Sequence, residues 1–457
     1  MDHGRTVRHA MIKFALLSLA LFADPPYQEP SVPLDPRIKG DRITSLAPPT
    51  VAVTRPVTAP IHRIADSAKE SGLGSDLDTR ARVAVRRGLA WLNASQDPSG
   101  GWMVAKAAAG TDQPKPSQAA ATAVTGLAIK AFAQVGDASD DATIARALAF
   151  IRAQTVASGS FVPDPAGSLG NYVAASIAMG LAALDRPNEL PMLEQSVEWL
   201  RQNQWDHTEG LTSTKDWYGG AGYGNWGRPD LSNTQLLLDA LHDAGVSQDD
   251  PVVQRALAFV TRTQNLKATN PSAWAQSGSD DGGFVYTPAN GGESFASEDA
   301  GEGRYGEKLP AGSPRTLRSY GSMTYAGLKS LLYAGLAPDD PRVKAARGWI
   351  ALHWGFDANP GLGTQGLFYY RHAMARALAV NGEPTITDAQ GKTHDWRVEL
   401  IESLLAAQRP DGSWINATTR WQEDKPELVT CYALLALEEA LKPVASPRGP
   451  TPVQPAP

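Results

Sequence analysis

The sequence predicts an all-α fold of six helix pairs, and three observations support this prediction. A unit of amphipathic helix, glutamine, glycine turn, aromatic residue and apolar helix recurs along the chain. The copies recur at intervals of about 50 to 60 residues. A helix pair of this length cannot bury its own apolar face and must pack against neighbouring pairs. None of the copies has a polar outer face suited to a terminal cap, which favours a closed ring over an open solenoid.

The clearest copy runs from Glu399 to Leu437. Its first helix places Leu400 and Leu404 on one face, as an amphipathic helix requires. Pro410 cannot continue this helix, and a glycine turn then leads to Trp414. The second helix is apolar almost all round, which is typical of a helix buried on every side.

The other copies keep the same order of residues. Four of them have a glutamine, at Gln96, Gln154, Gln204 and Gln264. The aromatic residues assigned to these copies, each after a glycine, are Trp102, Phe161, Tyr223 (after Gly222) and Phe284. A sixth, worn copy begins at Gly348, lacks the glutamine and continues to Val380.

This Gln…Gly…Trp pattern resembles the QW repeat of squalene and oxidosqualene cyclases and of protein prenyltransferase β subunits, over roughly Arg82 to Leu441. The resemblance implies an α/α toroid, with outer helices that carry the glutamines and inner helices that line a central cavity. It also implies that the glutamine and the aromatic ring join one repeat to the next. An amide can bind orphan groups at helix ends, and an aromatic ring supplies a large apolar contact. The toroid is assigned to residues 78–442.

The segments outside the repeats have other characters. Residues 1–23 resemble an export signal, because basic residues precede a short apolar run that cannot span a membrane in the ordinary way. The alternative is an uncleaved short anchor that keeps the protein near a membrane. Both place the body outside the cytoplasm, in the periplasm or extracellular space. Residues 24–77 are predicted to be a Pro-rich linker and residues 443–457 a Pro-rich tail.

Composition excludes several classes of function. The 457 residues, with evenly spread repeats, favour one large domain. A net charge of -6 argues against a nucleic-acid-binding surface. The single cysteine, Cys431, excludes an internal disulfide and a thiolate-rich metal site. No cofactor is expected.

The catalytic motif of the cyclases is incomplete here. Class II cyclases of the resembled family protonate an alkene with the middle Asp of an Asp-x-Asp-Asp-Thr motif. The matching place begins at Asp230 and ends at Thr234, but Ser232 and Asn233 replace the two later carboxylates. A serine hydroxyl cannot protonate an unactivated alkene. We therefore interpret Asp230 first as a helix N-cap and do not expect cyclisation.

The zinc ligands of the prenyltransferases are also missing. Those enzymes hold zinc with an Asp-x-Cys pair and a later His. The corresponding places hold Tyr320, Ser322 and Val429, none of which is a zinc ligand. The sequence therefore predicts no metal site.

The remaining candidates lie at the starts of the inner helices, which converge on one mouth of the cavity if the ring closes. The predicted lining residues are Asn171, Tyr172, Asn233, Tyr320, Ser322, Tyr325 and Arg371. The catalytic candidates are Asp230 and His372, the latter as a base beside Tyr369 or Tyr370. A lone His beside aromatic residues is more often structural.

Two functions stay open on this sequence. The first is an exported, non-catalytic repeat protein that binds an apolar small molecule or a protein partner in or over the cavity. The second is an enzyme of unfamiliar chemistry, acting on a terpenoid or a polysaccharide through His372 and the neighbouring tyrosines. Paired carboxylates across the mouth would favour the enzyme, whereas an apolar cavity without ionisable groups would favour the binding protein.

Overall fold

The computed structural model describes residues 72–103, 117–158, 169–224, 227–296 and 317–443. These ranges contain twelve helices of at least 12 residues. They are α1 Ser75–Ser95, α2 Gln118–Val135, α3 Asp141–Ser158, α4 Gly170–Leu184, α5 Leu190–Gln202, α6 Leu231–Asp243, α7 Pro251–Thr263, α8 Gly321–Tyr333, α9 Pro341–Leu352, α10 Leu367–Asn381, α11 Trp396–Ala407 and α12 Pro426–Leu441. A hairpin of β1 Thr385–Thr387 and β2 Thr393–Asp395 lies between α10 and α11, with Ile386 opposite His394.

Several predicted segments lie outside the described residues. They are the export signal, nearly all of the linker and of the tail, and Phe161 of the second repeat. Within the described ranges, no helix has both the length and the apolar character needed to cross a membrane.

The helices alternate between two packing roles. The even-numbered helices, named the inner helices below, are buried along most of their length because their sequences are apolar nearly all round. Each inner helix packs against the next, and α12 packs back against α2. The predicted all-α class is confirmed, and this cyclic order of contacts is the order that the predicted toroid requires.

Glutamines join neighbouring repeats. The Gln408 amide donates to Gly412 O in its own turn and to Ala84 O in α1, both at 2.9 Å, so the last repeat binds the first. Three more glutamines bind the same pair of positions, namely Gln96 (Gly100 and Thr143), Gln204 (Gly219 and Val252) and Gln264 (Gly282 and Arg342). The role predicted for the glutamine is confirmed in these four repeats.

The predicted register of the repeat at Gln204 is wrong. Gly219, not Gly222, accepts the hydrogen bond from Gln204. The position expected to hold Tyr223 is held by Ala221, whose backbone N–H donates to Thr234 on the inner helix. The aromatic residues of other repeats use the same contact, namely Trp102 with Thr125, Phe284 with Thr324 and Trp414 with Thr430. The backbone amide and the threonine therefore define the register, and the aromatic ring does not.

The tryptophans predicted to hold repeats together are buried. Trp414 has no exposed surface, and its indole N–H donates to Leu404 O at 2.8 Å. Its ring lies so close to Gly88 of α1 that an added Cβ there would come within 2.8 Å. Trp102 donates in the same way to Leu92 O. Trp414 thus packs the last repeat against the first.

Candidate functional site: a tyrosine-lined cavity

A cavity of about 290 Å³ lies among the N-terminal halves of the inner helices. Every inner helix contributes, through Ala120, Ala123, Val124 and Leu127 (α2), Tyr172 and Ser176 (α4), Ser232 (α6), Ser322 and Met323 (α8), Tyr369 (α10), and Leu428 and Tyr432 (α12). The connections add Met103, Leu169, Tyr223, Tyr286, Phe295, Tyr320, Trp421, Gln422 and Glu423. The cavity wall is apolar and aromatic apart from three serines, Gln422 and a single carboxyl group, that of Glu423.

Three hydroxyl groups in this wall form a hydrogen-bonded group, named the hydroxyl chain below. Ser232 Oγ lies 2.7 Å from the Tyr172 hydroxyl and 2.9 Å from the Tyr369 hydroxyl. Gln235 Nε2 donates to the Tyr369 hydroxyl at 3.0 Å. Burial raises the pKa of both Tyr172 and Tyr369, so both phenols keep their protons at neutral pH. Ser232, at the place of the cyclase acid, is thus held between two neutral phenols.

Asp230, Asn233 and Asn171 are not among the residues that line the cavity. Asp230 caps α6, because its Oδ1 accepts the backbone N–H of Asn233 and its Oδ2 accepts the Asn233 amide, both at 2.8 Å. The Asn171 amide donates to Asn233 O at 2.9 Å. Burial raises the pKa of Asp230 to about 6 against the effect of these hydrogen bonds. The N-cap interpretation of Asp230 is confirmed.

His372 is buried and lies outside the cavity lining. Its ring stacks on Tyr432, with centroids 5.6 Å apart, and Nε2 has no hydrogen-bond partner among the described residues. Burial, with the nearby Lys329 charge, lowers the pKa of His372 to about 3. The side chain is therefore neutral at ordinary pH and does not reach the cavity beside Tyr369.

The other candidates of α8 and α10 face away from the cavity lining. Tyr325 and Tyr370 pack edge to face with centroids 5.6 Å apart, and the Tyr370 hydroxyl donates to Gly355 O. Arg371 donates twice to Phe356 O, at 2.9 and 3.1 Å. These side chains fix the connection between α9 and α10. Of the predicted site residues, those in the cavity wall are Tyr172, Tyr320, Ser322 and Tyr369.

Glu423 also lines the cavity, although no pattern in the sequence predicted it. Its Oε1 accepts the backbone N–H of Tyr369 at 2.8 Å, and its Oε2 accepts the Asn416 amide at 2.6 Å. Burial raises the pKa of this carboxyl, while the amide donors oppose that rise. Just before it, Trp421 and Gln422 have φ values of 56° and 62°, which place the Trp421 ring against Phe295. Two successive left-handed residues other than glycine are uncommon and carried no sequence signal.

Beyond the cavity, the C-terminal halves of the inner helices carry a buried charged cluster. Its members are Lys130, Asp239, Asp243, Lys329, Arg376 and Glu439. Asp239 binds Lys329 at 2.6 Å and Arg376 at 3.1 Å. Burial acts to raise the pKa of Asp239, but these two cations outweigh it and lower that pKa to about 2. Three cations and three carboxylates thus face one another inside the molecule.

The positions of these charges follow a simple spacing. Five inner helices place a charge seven residues after a cavity-lining residue, in the pairs Ala123 and Lys130, Ser232 and Asp239, Ser322 and Lys329, Tyr369 and Arg376, and Tyr432 and Glu439. Seven residues are about two helical turns, so both members of a pair lie on the same face. This repeated spacing was a signal in the sequence for both the cavity wall and the charged cluster, which are called the two layers below.

Binding of a metal ion depends on how the possible ligands are arranged among the described residues. No group of three or more His, Cys, Asp or Glu side chains within them is arranged to hold one. The positions that correspond to the zinc ligands of the prenyltransferases have other places in the structure. Tyr320 and Ser322 line the cavity, and Val429 is buried in α12. Cys431 is buried, and burial raises the pKa of its thiol, which makes it a small apolar side chain.

A family model of the squalene-hopene cyclase C-terminal domain matches residues 78–219. The match runs from α1 through the turn at Gly219 and ends before Asp230. No curated protein matches the chain.

Several solved structures are also similar to this chain. A type II terpene cyclase from Scytonema is 16% identical, with 81% of this chain and 99% of that chain covered and a TM-score of 0.34. A family 76 glycoside hydrolase from a bovine Bacteroides thetaiotaomicron strain is 11% identical, with 78% and 77% covered and a TM-score of 0.48. A glycosidase in complex with glucose is 13% identical, with 81% and 99% covered and a TM-score of 0.39.

All three TM-scores are low, so these likenesses support no statement about activity. The family-model match stands on sequence and agrees with the resemblance that the repeats indicated. Over residues 78–219 the chain is therefore similar to the squalene-hopene cyclase C-terminal domain.

Proposed function

We propose that this chain is a non-catalytic binding protein that holds an apolar small molecule in the tyrosine-lined cavity. The observation that carries this proposal is the lining itself, which is apolar or aromatic apart from three serines, Gln422 and one carboxyl group, that of Glu423. Small-molecule sites are mostly apolar clefts of about 300 to 1,000 Å³ with a few placed polar groups. The cavity is near the lower end of that range, which favours a compact ligand. Export of the protein rests on residues 1–23 alone.

The carboxyl groups near the cavity argue against alkene protonation. An alkene needs a carboxylic acid that is protonated and aimed at it. Burial raises the pKa of Glu423, but its two oxygens accept hydrogen bonds from the Tyr369 N–H and the Asn416 amide, so the carboxyl group is held by the protein rather than aimed at a ligand. Asp230 also has a raised pKa, but it lies outside the lining, where it accepts hydrogen bonds from Asn233 and Tyr286. Ser232 offers only a hydroxyl.

The cavity also lacks the groups expected of the alternative enzyme. His372 is outside the lining and has a pKa of about 3, so it is a poor base. The sugar-processing alternative needs two carboxyl groups that flank a scissile bond. The lining supplies only Glu423, and that group is committed to α10. These observations favour binding over catalysis, and a small molecule over a protein partner.

The test is binding of a compact apolar probe, 2-methyleneadamantane, to the full chain by isothermal titration calorimetry. We expect saturable binding of one probe per chain. Ala123→Phe should abolish it, because Ala123 lines the cavity and a phenyl ring would fill the space. Val83→Phe is the matched control, since Val83 lies on the exposed side of α1 and is 50% exposed; it should bind as the natural chain does.

Two outcomes would contradict the proposal. Unchanged binding by a folded Ala123→Phe variant would place the probe outside the cavity. Formation of a cyclic triterpene from squalene, detected by mass spectrometry and abolished by Asp230→Asn, would make Asp230 an acid and the protein an enzyme.

A further inference from the structure

The hydrogen bonds that lead into the hydroxyl chain have a fixed direction. Lys329 has only donors to offer and lies against Asp239, so it donates to Gln235 Oε1. The Gln235 amide must then present its Nε2 to Tyr369, and it donates to the Tyr369 hydroxyl oxygen. Tyr369 therefore cannot give its proton to Gln235, and its O–H is directed either to Ser232 Oγ or into the cavity.

One hydroxyl proton is left over at the end of the chain. Tyr369, Ser232 and Tyr172 carry three O–H groups, but only two hydrogen bonds join them. Depending on which atom donates in each bond, the O–H that remains belongs to Tyr172, to Ser232 or to Tyr369. All three residues line the cavity, and none of their hydroxyls has an acceptor outside the hydroxyl chain in the part of the protein that the structure describes.

The surroundings of the surplus hydroxyl favour a hydrogen bond to an acceptor on a ligand. A donor left unpaired in an apolar wall costs free energy that a ligand oxygen can offset. The ammonium group of Lys329 polarises the chain of bonds that ends at the surplus proton. The inner helices also point their N-terminal ends towards the cavity, and helix N-termini favour negative partial charge.

We propose that the ligand is an apolar molecule with a carbonyl oxygen, and that the surplus O–H of the hydroxyl chain, on Tyr172, Ser232 or Tyr369, donates to that oxygen. This inference rests on the proposed binding function and adds the chemical class of the ligand. An ammonium group has only hydrogen-bond donors, and the cavity wall already contains one donor without an acceptor. The tyrosine faces could attract such a cation, so it is included among the probes.

The first experiment compares three probes of the same shape on the full chain by isothermal titration calorimetry. They are 2-adamantanone, 2-methyleneadamantane, in which a methylene group replaces the oxygen, and 2-adamantanammonium. We expect the ketone to bind about three- to tenfold more tightly than the alkene, which is the size of one hydrogen bond. The ammonium probe should bind most weakly.

The second experiment places the hydrogen bond. The infrared carbonyl band of ¹³C=O-labelled 2-adamantanone should move to lower frequency on binding, relative to the ketone in hexane. The variant Tyr172→Phe/Ser232→Ala/Tyr369→Phe removes all three hydroxyls of the chain and should return the band to its hexane position. Tyr320→Phe removes a lining hydroxyl outside the chain and should leave the shift in place.

The outcomes separate this inference from the proposed function. Equal affinity for ketone and alkene would overturn the inference and leave the binding function standing. Tightest binding of the ammonium probe, or loss of the band shift in Tyr320→Phe, would also overturn it. Absence of binding by all three probes would overturn both proposals. The probe comparison needs no variant, so it decides the inference even if the triple variant does not fold.

Discussion

The two halves of the inner helices differ in a way that assigns them different roles. The N-terminal halves build the cavity, where neutral hydroxyl groups such as that of Ser232 face open space. The C-terminal halves build the charged cluster, where Asp239 and Lys329 are closely paired and their side chains are 1% exposed. The same helix faces carry both, two turns apart. Open volume and a spare donor suit the first layer to a ligand, whereas fully paired charges suit the second to holding the helices in place.

The largest effect should come from breaking the charged cluster. Asp239→Ala leaves Lys329 and Arg376 buried without their shared carboxylate. Removing one partner of a buried ion pair costs about 3 to 5 kcal/mol, because the remaining charge stays desolvated. The free energy of unfolding, measured by urea titration, should fall by that amount. Asp76→Ala is the control, since Asp76 pairs with Arg80 at an exposed position and should change stability little.

A small effect of Asp239→Ala would break the comparison. It would mean that water reaches the charged cluster and screens it, so the two layers would no longer differ in character.

An intermediate effect should appear in the pH dependence of stability, with opposite sign in the two layers. Burial raises the pKa of Asp230 from 3.8 to about 6, so the folded chain holds its proton at a pH where the unfolded chain has lost it. Stability then falls as pH rises from about 4 to 6, by on the order of 2 to 3 kcal/mol. Asp230→Asn keeps an N-cap and should remove this fall. Urea unfolding across this pH range measures it.

Asp239 should show the reverse behaviour. Its pKa is lowered to about 2 in the folded chain, so its contribution is present above the ordinary value of 3.8 and is lost as pH falls towards 2. Asp239→Asn should remove that acid limb and leave the fall between pH 4 and 6. Identical pH profiles for the two Asn variants would contradict the assignment of opposite signs to the two layers.

The smallest effect should come from the hydroxyl chain. Ser232→Ala frees the hydroxyls of Tyr172 and Tyr369, but both face the cavity rather than a packed interior. A single neutral hydrogen bond contributes about 1 kcal/mol, so the free energy of unfolding should fall by that much or less. A loss as large as that of Asp239→Ala would show that the chain holds the helices together and would weaken its role in binding.

The repeats were predictable because each copy makes contacts that only a particular type of side chain can make. A glutamine amide that spans two backbone carbonyls needs the same residue in each copy, and Gln96 and Gln408 show that contact at both ends of the repeats. The register at Gln204 was not predictable from the ring of Tyr223, because Ala221 fills the place through its backbone. Gly219 marks the turn instead, since an added Cβ there would meet Arg255 O.

The site was predicted only in part because successive helical residues point about 100° apart. The sequence offered four neighbours at the start of α10, and only Tyr369 lines the cavity. Tyr370, Arg371 and His372 turn towards other parts of the structure. Glu423 was missed because its place depends on a backbone turn that residue types do not indicate.

The junction between Gln408 and Ala84 has a consequence for the ribosome-bound chain. These residues are 324 positions apart, and α1 packs against α11 and α12, which are made last. Translation adds about 5 to 20 residues per second, so roughly 15 to 65 seconds separate the synthesis of α1 from that of the helices that pack against it. During that interval the nascent chain lacks the residues that contact α1 at Ala84 and Gly88 in the finished protein, namely Gln408 and Trp414. Chaperone demand should therefore be highest at the first helix and end only when the last repeat has been made.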